Sequence, residues 1–321
     1  MYISDEAVLK MERTRQKYVK FLKDMGIVVV DESIGFDEIL TLLGRINNDD
    51  SFYMFHSHSD GITELYNDDL YILDSSWNNV IINNPKIKKI TFNNLTTINA
   101  SHAISSLPNL EEVVMPKLKN SYYSLTANSS FIFSNIPKIK KMDVESIENI
   151  GSGNIASGNF YKVGNESQEF NILSLPKLAS LNATYSYNVI TECGEKILIL
   201  SGLTGVVSCS VGTSNLNMKI CDFGSPSSIS SNIMSKSTQL KIFILRNNSK
   251  ITDLSSSAAF SDTPFTNQVG GIIYCPSALI KTYQSATNWS NLNVEWKALE
   301  GSEFESLDWY KNYDLSKLND L

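Results

Sequence analysis

An apolar ladder with a step of three residues constrains this chain more than any other feature. Residues 103–118 carry it most clearly, through Ile104, Leu107, Leu110 and Val113. The same spacing recurs at Ile81, Asn84, Ile87 and Ile90, at Phe133, Ile136, Ile139 and Met142, and at Ile172, Leu175, Leu178 and Leu181. A looser copy runs through Met234, Ser237, Leu240 and Phe243. Pro follows the second rung at Pro85, Pro108, Pro137 and Pro176. Self-similarity of this kind predicts a solenoid. One coil cannot bury its apolar face alone, so neighbours stack and share a continuous core. Strands are expected at 88–92, 111–115, 140–144, 196–200, 218–223, 241–245 and 272–275, lining one side of the solenoid, with helix-like or turn segments between them. The fold class read from this pattern is α+β: an irregular leucine-rich solenoid preceded by a small helical module.

Four segments follow. Residues 1–46 read as a helical attachment or oligomerisation module. Ser4 is placed as an N-cap, Asp5 and Glu6 suit the helix dipole, and Gly26 is placed to stop the helix. A hairpin of this size is too small to fold comfortably alone, so it needs a partner surface or copies of itself. Residues 47–79 are transitional and β-rich. Residues 80–298 form the solenoid and its cap. In the cap, Leu279, Ile280 and Tyr283 share a helical face, and Trp289 is placed to close the end of the core. Residues 299–321 read as a tail. It is acidic through Glu300, Glu303, Glu305, Asp308, Asp314 and Asp320, and carries Phe304, Leu307, Trp309 and Tyr310. Such a tail is either a solvated end with a few aromatics on the cap or a docking peptide for a partner.

Bulk chemistry narrows function by exclusion. A net charge of −7 and the lack of a broad basic stripe argue against nucleic acid. No apolar run reaches the length of a membrane span. After Met1 come Asp5, Glu6, Lys10, Glu12 and Arg13, which do not form a secretory leader, so export by the usual route is not expected. Cys193, Cys209, Cys221 and Cys275 are widely spaced and form no CxxC pair, so they read as buried free thiols. His56, His58 and Asp60 share a strand face, but no third His or Cys follows at ligand spacing, so no metal is expected there. With three His and no nucleophile elbow or phosphate loop, the chain reads as non-enzymatic and without a cofactor.

Binding is the better expectation. The insertions near 121–130 and 151–169 are rich in Ser, Asn, Gly and Tyr. Tyr122 and Tyr123 lie in the first, Tyr161 in the second, and Tyr185 and Tyr187 in a third polar stretch. Tyr supplies rigid contact area at low entropic cost, and Asn and Ser supply adaptable hydrogen bonds. These five tyrosines are the candidate ligand-binding residues, facing either a glycan or a protein.

Two resemblances add to this reading. Ile98, Ala103, Ile104, Leu107, Leu110 and Val113, followed by Met115 and Pro116, are similar to the leucine-rich repeats of the BspA-like family. The segment 273–289, from Ile273-Tyr274-Cys275-Pro276 to Ala286 and Trp289, looks like the closing repeat of that family. Ile104 stands where the family has Phe, and Asn99 where it has Gly. The N-terminal stretch through Gly26, Val28, Val30, Phe36, Ile39 and Ile46 resembles the short first module of bacteriophage tail, fibre and virion-associated proteins. Together they imply a virion protein. Its residues 1–46 would contact other virion proteins or form a homo-oligomer, and its solenoid loops would meet a host-surface glycan or protein. The alternative they imply is a bacterial surface or extracellular adhesin.

Overall fold

The computed structural model describes residues 63–321, apart from 67–70, 74–80, 83–84, 101, 122–130, 151–158, 182–187, 230–232, 249–252, 255–256 and 268–269. The helical module expected at 1–46 and the His56–Asp60 cluster lie outside the described residues. Over the rest, the chain is a parallel β-solenoid with three sheet faces.

Each coil visits the faces in the same order. The first face stacks Glu64–Tyr66, Lys89–Thr91, Glu112–Val114 and Lys141–Asp143, and continues through Ile172–Ser174, Ile197–Ile199, Ile220–Asp222, Ile242–Ile244, Gly271–Cys275 and Val294–Ala298. The second face stacks Ile72–Leu73, Thr97–Ile98, Asn120–Ser121 and Asn149–Ile150, and later Val206–Val207, Ser228–Ile229 and Asp253–Leu254. The third stacks Ile81–Ile82, Ile104–Ser105, Phe133–Ile136, Phe160–Val163, Asn188–Thr191 and Ser210–Thr213. All the expected strands fall on the first face. The other two faces are additional, because strands of two to four residues leave too short a run for an alternation to be seen. Helix is scarce among the described residues. It is confined to α1 (Pro264–Asn267), α2 (Ile280–Ser285) and a few 3-10 turns, and no described helix is long and apolar enough to cross a membrane.

Register places like on like. On the first face Leu65, Ile90, Val113 and Met142 stack inward. The inward row of the later coils is Leu173, Leu198, Cys221, Phe243 and Ile273. On the third face Ile104, Phe133 and Phe160 stack in the same way, with the two Phe rings 5.2 Å apart and nearly parallel. All of these side chains belong to one apolar core that runs the length of the solenoid.

The step of three has a structural cause. Ile104 leaves the third face, Leu107 and Leu110 turn the corner, and Val113 enters the first face, all fully buried. The copies at Phe133 and Met234 occupy the same corner. The copy at Ile172 does not. Its Leu175, Leu178 and Leu181 turn the next corner, from the first face to the second, and Ile172 itself points away from the core beside the inward Leu173. That second corner has the same step of three in Phe92, Leu95 and Ile98, and again in Val144, Ile147 and Ile150, all buried.

The third-to-first corner is built on left-handed residues. Ser106, Asn135, Lys162, Glu192, Ser214 and Lys236 have φ between 51° and 62°. Non-glycine residues rarely adopt this conformation, at about 1–2 kcal/mol each. The coils sustain it because the backbone of one corner is bonded to the next, as in Ser106 N–H to the Ser134 carbonyl and Glu192 N–H to the Thr213 carbonyl. Two residues further on, Gly194 lies directly on Gly164, and a Cβ there would sit 2.0 Å from the Gly164 carbonyl oxygen. Gly194→Ala is therefore expected to cost about 1–3 kcal/mol as an overpacking change. An unchanged thermal midpoint would show that the coils are not held this closely.

Aromatic side chains cluster at the C-terminal end of the solenoid. Tyr283 and Trp289 are buried against the last coil, and Trp296 of the final strand stacks on Tyr283 at 5.4 Å.

Candidate functional site

Two regions stand out from the regular scaffold. The first is the corner between the second and third faces. Asn120–Ser121 and Asn149–Ile150 stack in parallel, with Ser180 bridged to Asn149 in the next coil. Phe133–Ile136, Phe160–Val163 and Asn188–Thr191 stack in parallel on the far side of that corner. Residues 122–130, 151–158 and 182–187 therefore leave and rejoin the scaffold at one corner of three successive coils. Tyr122, Tyr123, Tyr185 and Tyr187 lie outside the described residues, and their attachment points are adjacent.

Tyr161 is described. It sits in the third-face strand between Ser134 and Thr191 and is half-buried. Its ring stacks on Phe131, with centroids 4.7 Å apart at 22°. The Lys162 ammonium lies 4.9 Å from the ring centroid and 3.7 Å from a Glu192 carboxylate oxygen. The phenol first, and then the carboxylate, hold Lys162 above its ordinary pKa. Below this pair the corner is fastened by polar contacts. Asn159, which is buried, exchanges hydrogen bonds with Ser121, donating from Nδ2 to its carbonyl at 3.1 Å and accepting from its hydroxyl. The result is an aromatic and ionic cluster beside the attachment points of the three insertions.

The second region is the outer side of the later first-face strands. In the early coils this surface is polar, with Lys89 and Lys141 flanking Glu112 at 3.0 and 3.6 Å. From Ile197 onward it is a plate of Ile197, Ile199, Ile220, Ile242 and Ile244, all buried. The cover is the tail. Leu299, Phe304, Trp309, Tyr310 and Leu318 pack on the plate as a second apolar cluster, separate from the solenoid core. The six acidic residues of this segment are exposed, and its few buried aromatics pack on this plate.

A buried clasp holds the tail in place. The Arg246 guanidinium pairs with the fully buried Asp222, with Nη2 to Oδ2 at 2.6 Å and Nε to Oδ1 at 2.9 Å. The same guanidinium donates to the carbonyls of Phe304, Glu305 and Ser306 at 2.8, 2.9 and 3.2 Å. Trp309 Nε1 donates to Asp222 Oδ2 at 2.9 Å. Each nitrogen of this arginine fork thus meets either the carboxylate or tail backbone. Lys219 Nζ reaches the Leu318 carbonyl at 2.5 Å, and Tyr310 Oη reaches Glu145 at 3.2 Å.

A third polar cluster lies inside the solenoid. Along the turn that follows the left-handed corner, the inward row reads Leu107, Ile136 and Val163, then Cys193, Asn215 and Ser237. Asn215 donates from Nδ2 to Glu195 Oε1 at 2.5 Å, and its Oδ1 accepts from Cys193 N–H at 2.9 Å. Glu195 is fully buried, and its Oε2 has no hydrogen-bond partner. Burial pushes its pKa up from 4.5 to about 8.

The four cysteines are free and buried, as their spacing suggested, and burial raises their pKa values, so none presents a ready thiolate. Among the described residues no group of three or more His, Cys, Asp or Glu is placed to hold a metal ion. The isoleucine plate was missed in the sequence, although a signal exists. Ile-Leu-Ile at 197–199 and Ile-Phe-Ile at 242–244 lack the alternation of a strand with one wet side. Comparison with protein-family models, curated proteins and solved structures finds no significant match.

Proposed function

We propose that this chain is a non-enzymatic, virion-associated bacteriophage protein of tail, fibre or decoration type, built on irregular BspA-like leucine-rich repeats. Residues 1–46 attach it to other virion proteins. The solenoid presents the polar segments at 122–130, 151–158 and 182–187, the first and third carrying Tyr, to a host-surface glycan or protein. The observation that carries the recognition half of this reading is the convergence of those three insertions on one corner of a rigid scaffold. Binding residues concentrate on loops held in this way. The resemblance of residues 1–46 to phage first modules supports the attachment half.

Two measurements test the halves separately. Deleting residues 1–46 is expected to abolish incorporation into particles, and normal incorporation would remove the anchor. Replacing Tyr122, Tyr123, Tyr185 and Tyr187 together by Ser is expected to weaken cell-surface binding at least tenfold with the thermal midpoint nearly unchanged. A large fall in that midpoint would make them core residues instead.

A further inference from the structure

The plate under the tail has the make-up of a peptide-binding surface. Its floor is Ile197, Ile199, Ile220, Ile242 and Ile244. Along one edge run Lys196, Lys219 and Lys241, stacked coil on coil through Lys219 N–H to the Lys196 carbonyl and Lys241 N–H to the Lys219 carbonyl. Elsewhere on the same surface Arg246 stands paired with Asp222, while Glu303 and Asp308 of the tail pair with the tail's own Lys317 and Lys311. The segment seated on it, 300–321, has six acidic residues and two lysines, a net charge of −4 (2 − 6). It adds no strand to the sheet, and its own regular structure is limited to 3-10 turns at Trp309–Lys311 and Leu315–Asn319. The attachment is by side-chain anchors in an apolar floor and by donors aimed at its carbonyls, which is how a groove holds a peptide ligand. The link to the body is short. Gly301 has φ +72° and open space around it, in the turn that follows the final strand.

We infer that this face is a recognition surface for the tail of a second copy of the chain, so that copies can be joined by exchanging residues 300–321. Among the described residues, the segment whose chemistry this surface fits is 300–321, and every copy carries one. Exchange keeps the plate anchors and the clasp, and opening the turn at Gly301 gives up the two Ser302 bonds to the Leu299 carbonyl that close it. This inference goes beyond the loop-corner reading and does not rest on it.

Complementation between two full-length variants tests it. The donor is Arg246→Ala, whose tail is intact but unclasped. The acceptor is Phe304→Ala/Trp309→Ala, whose plate is intact but whose tail has lost its two inner anchors. Each alone is expected to remain a single chain, and their mixture to form a one-to-one pair at least tenfold tighter than either self-association. A mixture that stays at single-chain mass in light scattering overturns the inference. If either variant loses its β-sheet circular dichroism, the intact chain serves. A fluorescein-labelled peptide of residues 300–321, in tenfold excess, must exchange onto it and be displaced by unlabelled peptide. Failure to exchange overturns the inference equally.

Discussion

Arg246→Ala is expected to lower the folding free energy by about 3–5 kcal/mol, the usual cost of stranding one member of a buried ion pair. Asp222 is fully buried, and without the guanidinium its remaining side-chain partners are the Trp309 indole and the Gly224 N–H, the latter at a long 3.4 Å. The carbonyls of Phe304, Glu305 and Ser306 lose their common donor at the same time. Urea unfolding followed by Trp fluorescence would measure the loss. The double change Asp222→Leu/Arg246→Met should return part of it, since no charge is then left alone in an apolar setting. A cost below about 1 kcal/mol for the single change, the range of exposed pairs, would mean that the clasp is solvated and the tail loosely held.

Glu195 should make stability depend on pH in the sense opposite to most carboxylates. Its folded pKa, about 8, lies above its ordinary 4.5, so the native state keeps a proton that the unfolded chain releases. The contribution is fully present below pH 4.5 and is lost as pH rises through 8. Within that window each pH unit removes about 1.4 kcal/mol at most. Glu195→Gln keeps the acceptor for Asn215 and carries no proton to lose. The variant should match the parent near pH 5 and be several kcal/mol more stable near pH 8.5. Thermal melts of both proteins across that range provide the check. Parallel curves would show that Glu195 is reached by water.

The first face was legible because it repeats the simplest rule available to a half-buried strand. Lys89-Ile90-Thr91 and Glu112-Val113-Val114 place one apolar residue inward between polar or half-exposed neighbours. Trp289 was legible as a cap because a large aromatic just past the last repeat has no other core to enter. The phase of the ladder at Ile172 was not legible. Two corners of the coil use the same step of three, and Leu175-Pro176-Lys177-Leu178 mimics Leu107-Pro108-Asn109-Leu110 while matching Met115-Pro116-Lys117-Leu118 in space. Only pairing between coils separates the two, and pairing is not a property of one segment. The surface that the tail covers was not legible for a related reason. The tail's acidic residues are spread among its aromatics, which hides the apolar side that Phe304, Trp309 and Leu318 present together. The candidate tyrosines were found by composition alone. That several of them share one corner follows from the stacking of Ser121 with Ile150 and of Phe133 with Phe160.

The isoleucine plate also imposes an order in time. Coils of a solenoid contact only their neighbours, so they can form as the chain emerges from the ribosome. Ile197, Ile199, Ile220, Ile242 and Ile244 are thus assembled into a flat apolar sheet before residues 300–321 have been made. At roughly 5–20 residues per second, several seconds separate the first row of that sheet from its cover. A nascent chain in that interval is sticky on a surface that the finished molecule hides. Synthesis halted near residue 298 would release a product with a folded interior and an adhesive exterior, one that chaperones must shield or proteases remove.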